Sequence, residues 1–210
     1  MDLQTVKRKK SKGTRLKPPA TAPSTLKTLE EVRSWLGDCK RCGLCKERNE
    51  IVFGSGNPKA RLMFIGEGPG ADEDKQGLPF VGRAGQLLSK IIEAMGLQRE
   101  NVYIANIVKC RPPSNRVPEP HEIDQCLPFL KAQIDLVSPE IVVALGLTAS
   151  RALTQTEHGM ANLRGQFHTV AWKKEITLMP TYHPAYLLRN PSAKKIVWED
   201  MKLVKERLKL

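Results

Sequence analysis

Glu140-Ile-Val-Val-Ala-Leu-Gly-Leu-Thr-Ala-Ser-Arg-Ala-Leu153 is the stretch that decides the fold. Residues 140–145 read as a strand in which everything after Glu140 is apolar with no polar alternation, as in a strand buried on both faces of a parallel sheet. Gly146 breaks the run, and residues 148–153 continue as a helix. Working outward, the same strand-then-helix order repeats. Arg61-Leu-Met-Phe-Ile65 is a short buried strand, followed by the glycine- and acid-rich loop 66–82 and a helix from Arg83 with Leu87, Leu88, Ile91, Ile92 and Met95 in register, ended by Gly96. Residues 102–108 form the next strand, 109–120 a proline-rich loop, and Ile123, Leu127, Leu130, Ile134 and Val137 mark one face of a further helix. Beyond residue 153, strand-like runs at 166–172 and 176–179 precede Thr181-Tyr-His-Pro-Ala185, and Val197, Met201, Val204 and Leu208 line a last helix. Near the start, residues 29–36 form a helix with Leu29, Val32, Arg33 and Leu36 along one stripe. Strands alternating with helices give an α/β domain on a parallel sheet. Ligands in such folds sit beyond the carboxyl ends of the strands, which singles out the loops 66–82, 109–120 and 180–190.

The chain has 210 residues, 34 Lys+Arg and 22 Asp+Glu, a formal charge of +12. Its 40% apolar content suffices for a core. The longest apolar run, residues 141–147, is seven residues with a glycine inside it, far short of a membrane span. No apolar segment near the N-terminus precedes a cleavage site, so an intracellular protein is expected. Half of the excess charge lies in residues 1–26, where seven basic residues face one acid among prolines at 18, 19 and 23. This segment reads as a disordered basic tail ahead of one folded domain over residues 27–210, serving a polyanionic partner such as nucleic acid or solubility alone.

Five cysteines, Cys39, Cys42, Cys45, Cys110 and Cys126, include a Cys-x2-Cys-x2-Cys run. In a reducing compartment such clustering favours zinc or iron–sulfur ligation over disulfides. Cys126 also falls on the apolar face of its helix, where a buried structural thiol is the alternative. The loop Gly66-Glu-Gly-Pro-Gly-Ala-Asp-Glu-Asp74 follows a strand like a phosphate loop, yet it lacks the Gly-x-Gly-x-x-Gly spacing and the Gly-Lys-Ser/Thr ending. Its four carboxylates would repel phosphate. Its glycines suit a turn that brings backbone close to a small ligand, and a solvated acidic loop is the plainer account. In His183-Pro184-Ala185 the proline suits the first helical turn and sets the imidazole at a helix start, where a neutral N–H donor could face a developing anion.

Together these blocks resemble the family-four uracil-DNA glycosylases, the iron–sulfur branch of the uracil-DNA glycosylase superfamily, over roughly residues 28–209 of this chain. The motifs that carry the likeness are Gly66-Glu-Gly-Pro-Gly70 with Asp74, Gly77-Leu-Pro-Phe-Val-Gly-Arg-Ala-Gly85, Asn106-Ile-Val-Lys-Cys-Arg-Pro-Pro113 with Asn115 and Arg116, and His183-Pro-Ala185. The resemblance implies a three-layer sandwich around a central parallel four-stranded sheet. It also implies excision of uracil from single- or double-stranded DNA by hydrolysis of the N-glycosidic bond after base flipping, in base-excision repair by a monomer. A [4Fe–4S] cluster is implied on Cys39, Cys42, Cys110 and Cys126, with Leu44 at the family's leucine position and Cys45 spare, although Cys42 with Cys45 would match the same pair.

Carried over residue by residue, Phe80 resembles the ring that stacks on the base and Asn106 the amide that pairs with uracil N3–H and O4. An amide offers one acceptor beside one donor, the pattern that uracil requires and cytosine does not. His183 resembles the donor to uracil O2, a contact worth about 3 kcal/mol at the transition state. Glu67 is the candidate for orienting water, Gly68 and Glu73 for lining the pocket against the methyl group of thymine, and Asn115 for a further motif position. Tyr186, Leu187, Leu188 and Arg189 are candidates for an apolar wedge and a phosphate contact, with helix-core packing the alternative for the leucines. A related group that becomes trapped on its product has an arginine-rich loop with a histidine after the second strand. Here that stretch is Arg111-Pro-Pro-Ser-Asn-Arg-Val-Pro118, which implies turnover. The rival readings are a non-catalytic, metal-stabilised DNA-binding protein and a glycosylase of broader deaminated-base specificity.

Overall fold

The computed structural model describes residue 23 and residues 25–210. Apart from Pro23, Thr25 and Leu26, the expected basic tail lies outside the described residues. Six strands, β1 (Ser55–Gly56), β2 (Leu62–Gly66), β3 (Tyr103–Asn106), β4 (Ile141–Leu145), β5 (His168–Ala171) and β6 (Glu175–Thr181), form one sheet in the order β1-β3-β2-β4-β6-β5. The four central strands are parallel, with Ile65 opposite both Ala105 and Ala144, and Ala144 opposite Pro180. The expected four-stranded parallel sheet is therefore the centre of a wider one. The antiparallel additions are the two-residue β1 on β3 and the hairpin partner β5 on β6. Both sit at edges, where short strands cover backbone groups that a parallel core leaves unpaired.

Eight α-helices, α1 (Leu29–Leu36), α2 (Ala71–Gln76), α3 (Arg83–Ala94), α4 (Pro120–Val137), α5 (Leu147–Thr154), α6 (Met160–Leu163), α7 (Pro184–Arg189) and α8 (Ala193–Leu208), complete the described chain. The layers follow from strand alternation. Met63 and Ile65 of β2 and Val142 and Ala144 of β4 point to one face, where Leu130 and Ile134 of α4 and Leu153 of α5 cover them. Leu62, Phe64, Val143 and Leu145 point to the other, under Leu88 and Ile92 of α3 and Val197, Met201 and Val204 of α8. Burial on both faces explains why these strands read as continuous apolar runs. A smaller cluster fixes α1 to α4, with the rings of Trp35 and Phe129 4.1 Å apart.

The loop 66–82 departs from expectation, because it contains the six-residue helix α2. The Glu73 carboxylate accepts the Gly70 N–H at 3.1 Å, and Asp72, Glu73 and Asp74 occupy the first turn, where the helix dipole favours negative charge. Asp74 is fully buried and accepts from the Asn49 backbone N–H at 3.0 Å and its side-chain amide at 2.6 Å. Glu73 and Asp74 hold the loop together, and Asp72 alone of the three is exposed. Six residues are too few to show an apolar period.

Candidate active site

A cavity of about 480 Å³ opens at the carboxyl ends of the central strands. Glu67, Gly68, Glu73, Phe80, Asn106, Asn115, His183, Tyr186 and Arg189 all line it, although all but Asn106 come from loops 66–82, 109–120 and 180–190. Each is delivered by a strand end. Asn106 is the last residue of β3 and lies opposite Gly66, the last of β2. His183 stands two residues beyond β6, and Gly146 follows β4.

Asn106 is 1% exposed, and its Oδ1 has no hydrogen-bond partner. A buried carbonyl oxygen without a donor costs about 1–3 kcal/mol, so the position signals a ligand donor. A Cβ on Gly66 would stand 2.5 Å from this oxygen and 2.6 Å from Phe80 Cζ, so the missing side chain keeps open the space between amide and ring. Phe80 is itself buried, and its ring centroid lies 5.5 Å from that of His183.

His183 caps α7, and its Nδ1 accepts the Ala185 N–H at 3.1 Å. That bond assigns the proton of a neutral ring to Nε2. Burial, helped by the Arg189 charge, pulls the ring down to about 4, against the opposing carboxylate of Glu73. At neutral pH His183 is thus an uncharged Nε2–H donor.

Several partners were not legible in the sequence. Lys109 is fully buried, and its Nζ donates to the Asn106 carbonyl at 2.9 Å and to Gln133 Oε1 at 2.6 Å. Burial lowers it to about 8. Gln133 in turn donates to the Phe53 carbonyl at 2.9 Å, so that Lys109 and Gln133 together tie α4 to the end of β3 and to the segment before β1. Arg99 donates to the carbonyls of Pro79 and Phe80. Both Glu73 oxygens are taken by backbone, Oε2 by Gly70 and Oε1 by Val81 and Gly82 at 2.9 Å each. Asn115 has φ +55° and accepts from Arg111 Nε at 2.8 Å. The glycine ending the clearest strand was a signal for Gly146 and Leu147, which also line the cavity.

On α7, Tyr186 and Leu188 are each 38% exposed, and the Tyr186 ring stacks on Tyr182 at 4.9 Å. Leu187 is 1% exposed and packs into the core with Val197 and Met201, so the wedge expected there does not stand. Its neighbours face out because residues one apart on a helix point in different directions.

All five cysteines line a second cavity, between Leu36 and Cys126. Arg41 donates to Cys39 Sγ at 3.3 Å, Arg48 to Cys110 Sγ at 3.4 Å and the Lys109 backbone N–H to Cys126 Sγ at 3.3 Å. Burial pushes the Cys110 thiol up to about 11 and that of Cys126 to about 12. Glu119, His121 and Glu122 do crowd together, but Glu122 is held by Arg116 at 2.7 and 2.8 Å and His121 faces Glu119 at 3.2 Å. No helix among the described residues is long and apolar enough to cross a membrane.

The Uracil DNA glycosylase superfamily model matches residues 53–202. The type-4 uracil-DNA glycosylase of Sulfurisphaera tokodaii is 45% identical over 185 residues, covering 85% of this chain and 84% of the relative. That of Thermotoga maritima is 44% identical over 184 residues, covering 86% and 95%. That of Saccharolobus solfataricus is 45% identical over 187 residues, covering 85% and 84%. With a family model matched over most of the chain and relatives of this identity along most of its length, the chain belongs to the uracil DNA glycosylase superfamily, in its type-4 group.

Proposed function

We propose that this protein is a uracil-DNA glycosylase that hydrolyses the N-glycosidic bond of deoxyuridine in DNA, in base-excision repair. The observation that carries the reading is the unpartnered Oδ1 of buried Asn106, facing one cavity with Phe80 and His183. Uracil leaves the stack at a cost of a few kcal/mol and enters that cavity. Its ring lies on Phe80. Asn106 Oδ1 accepts N3–H, and the amide nitrogen donates to O4. Cytosine offers a bare N3 and a donor in these places, leaving both amide groups unmatched. As the N1–C1′ bond breaks, its electron pair passes into the uracil ring, and the Nε2–H of His183 donates to O2, where that charge gathers. Water adds its oxygen to C1′ and gives up a proton to solvent, the uracil anion takes one up in return, and the products are free uracil and an abasic sugar. Glu67, on the turn after β2, orients this water. Gly68 and the Glu73-held turn bound the side of the pocket where thymine carries its methyl group.

The thiols gathered around this second cavity suit a [4Fe–4S] cluster on Cys39, Cys42, Cys110 and Cys126. All four of these sulfurs receive N–H donors, that of Cys42 from the Leu44 backbone, which favour ligating thiolates, whereas Cys45 receives none among the described residues. Such a cluster would be structural, since glycosidic hydrolysis moves no electrons. Tyr186 and Arg189, which line the cavity, and the exposed Leu188 meet the strand beside the flipped nucleotide, and the protein acts as a monomer inside the cell. A uracil-containing oligonucleotide incubated with the protein should become alkali-labile at the uracil, with Asn106→Ala losing about 100-fold or more of the rate. Binding without cleavage by an iron-loaded preparation would support a non-catalytic DNA-binding protein instead.

A further inference from the structure

Phe80 has φ +53°, a left-handed conformation that a bulky side chain disfavours and that persists only where its surroundings impose it. Two charged groups do so here. From the 3₁₀ turn Arg99–Asn101 between α3 and β3, the Arg99 guanidinium donates to the Phe80 carbonyl at 3.1 Å and, from its other terminal nitrogen, to the Pro79 carbonyl. From the opposite side, Glu73 accepts the N–H groups of Val81 and Gly82. Four consecutive residues are thus gripped by a cation at their carbonyls and an anion at their amides. Gly85 lets the turn rest directly on α3, because a Cβ there would fall 1.9 Å from the Phe80 carbonyl oxygen.

We propose that Arg99 is a positioning residue for base recognition, one that fixes the Phe80 ring before DNA arrives. Arg99 does not line the cavity, so its action passes through the turn that it holds. The inference rests on the reading of Phe80 as the stacking surface. A planar fork suits the task, since it meets two successive carbonyls in one fixed geometry, whereas a lysine ammonium is a single point charge on a flexible stem. With the turn already ordered, the everted base meets a finished surface and pays no further ordering cost.

A double-mutant cycle tests this, using uracil excision by the full-length, iron-loaded protein, with thermal unfolding as the check on folding. Arg99→Ala should lower kcat/KM on the order of 10-fold to 100-fold, the loss expected from misplacing a bound group by about an ångström. In a Phe80→Leu background the same substitution should change kcat/KM less than threefold, because the ring it positions is gone. Arg99→Lys should fall between wild type and Arg99→Ala, and it serves the same cycle should Arg99→Ala not fold. The salt dependence of KM should stay unchanged, since Arg99 meets no phosphate. Equal losses in both backgrounds, or an Arg99→Ala protein within twofold of wild type, would overturn the positioning role while leaving the Phe80 reading intact. Full activity of Phe80→Leu would instead remove the stacking reading, and the inference with it.

Discussion

At Asn106 the energetics of the empty site and of recognition oppose each other. Its Oδ1 is buried without a donor, so the unbound protein bears a desolvation cost that the N3–H of the proposed base would relieve. Replacing it by leucine, close in shape and with nothing to satisfy, should leave the thermal midpoint unchanged or raise it while abolishing uracil release. Calorimetry and an excision assay on one sample check both halves. His183 carries a second residue-scale expectation. Held near 4 when folded and near 6.5 when unfolded, the ring binds more protons in the unfolded chain between those values. Its contribution to stability is therefore complete above pH 6.5 and is lost as the pH falls toward 4. Its NMR titration should centre near 4, and kcat/KM should show no inflection near 6.5 from this group. His183→Ala should cost on the order of 100-fold to 1,000-fold in kcat. These residues were legible because motif order marked them. Arg99 and Lys109 were not, since a buried lysine or a half-buried arginine is recognised only by its distant partners, the Phe80 and Asn106 carbonyls.

Among the elements, the strand ends do the positioning. Gly66 and Asn106 end neighbouring parallel strands in register, so the amide faces the gap where Gly66 has no side chain. Gly66→Ala should fold, its backbone being outside the left-handed region, yet lose most excision activity as its Cβ displaces the Asn106 amide and the Phe80 ring. Circular dichroism beside the rate assay separates the two effects. The helices with a long apolar period, α3, α4 and α8, were readable within a few residues. By contrast, α2 was hidden because its signal is a capping carboxylate, Glu73, and not a stripe. The two-residue β1 is invisible to any periodicity, since only pairing with β3 makes it a strand. Leu187 shows the limit on α7, where the side of a short helix that is buried depends on α8 packing against it.

For the molecule as a whole, the cysteines join segments far apart in the chain: the 39–45 turn, the loop after β3 and the α4 helix. A cluster there would act as a cross-link, since metal binding to preorganised ligands is also folding free energy. Purified protein should be brown with about four irons per chain, and stripping the iron should lower the thermal midpoint. Stoichiometric zinc in a colourless sample would refute the cluster. Charge acts at this scale too. Glu67 and Glu73 line the pocket and the exposed Asp72 lies close by, so phosphate attraction falls to other surfaces and to residues 1–26. Removing residues 1–26 should weaken DNA binding and make its salt dependence shallower without changing which base is excised, as fluorescence anisotropy across a salt series would reveal.

Local pattern alone determined the strand–helix alternation, the parallel centre of the sheet and the three loops that carry chemistry. These follow from burial and from the backbone freedom of glycine and proline, which act over a few residues. Tertiary structure decided what depends on contact between distant segments: the two edge strands, the burial of Leu187, the orphaned oxygen of Asn106 and the Arg99–Glu73 grip on the Phe80 turn. Hydrogen-bond partners and solvent exposure belong to the folded arrangement, and no single stretch of sequence contains them.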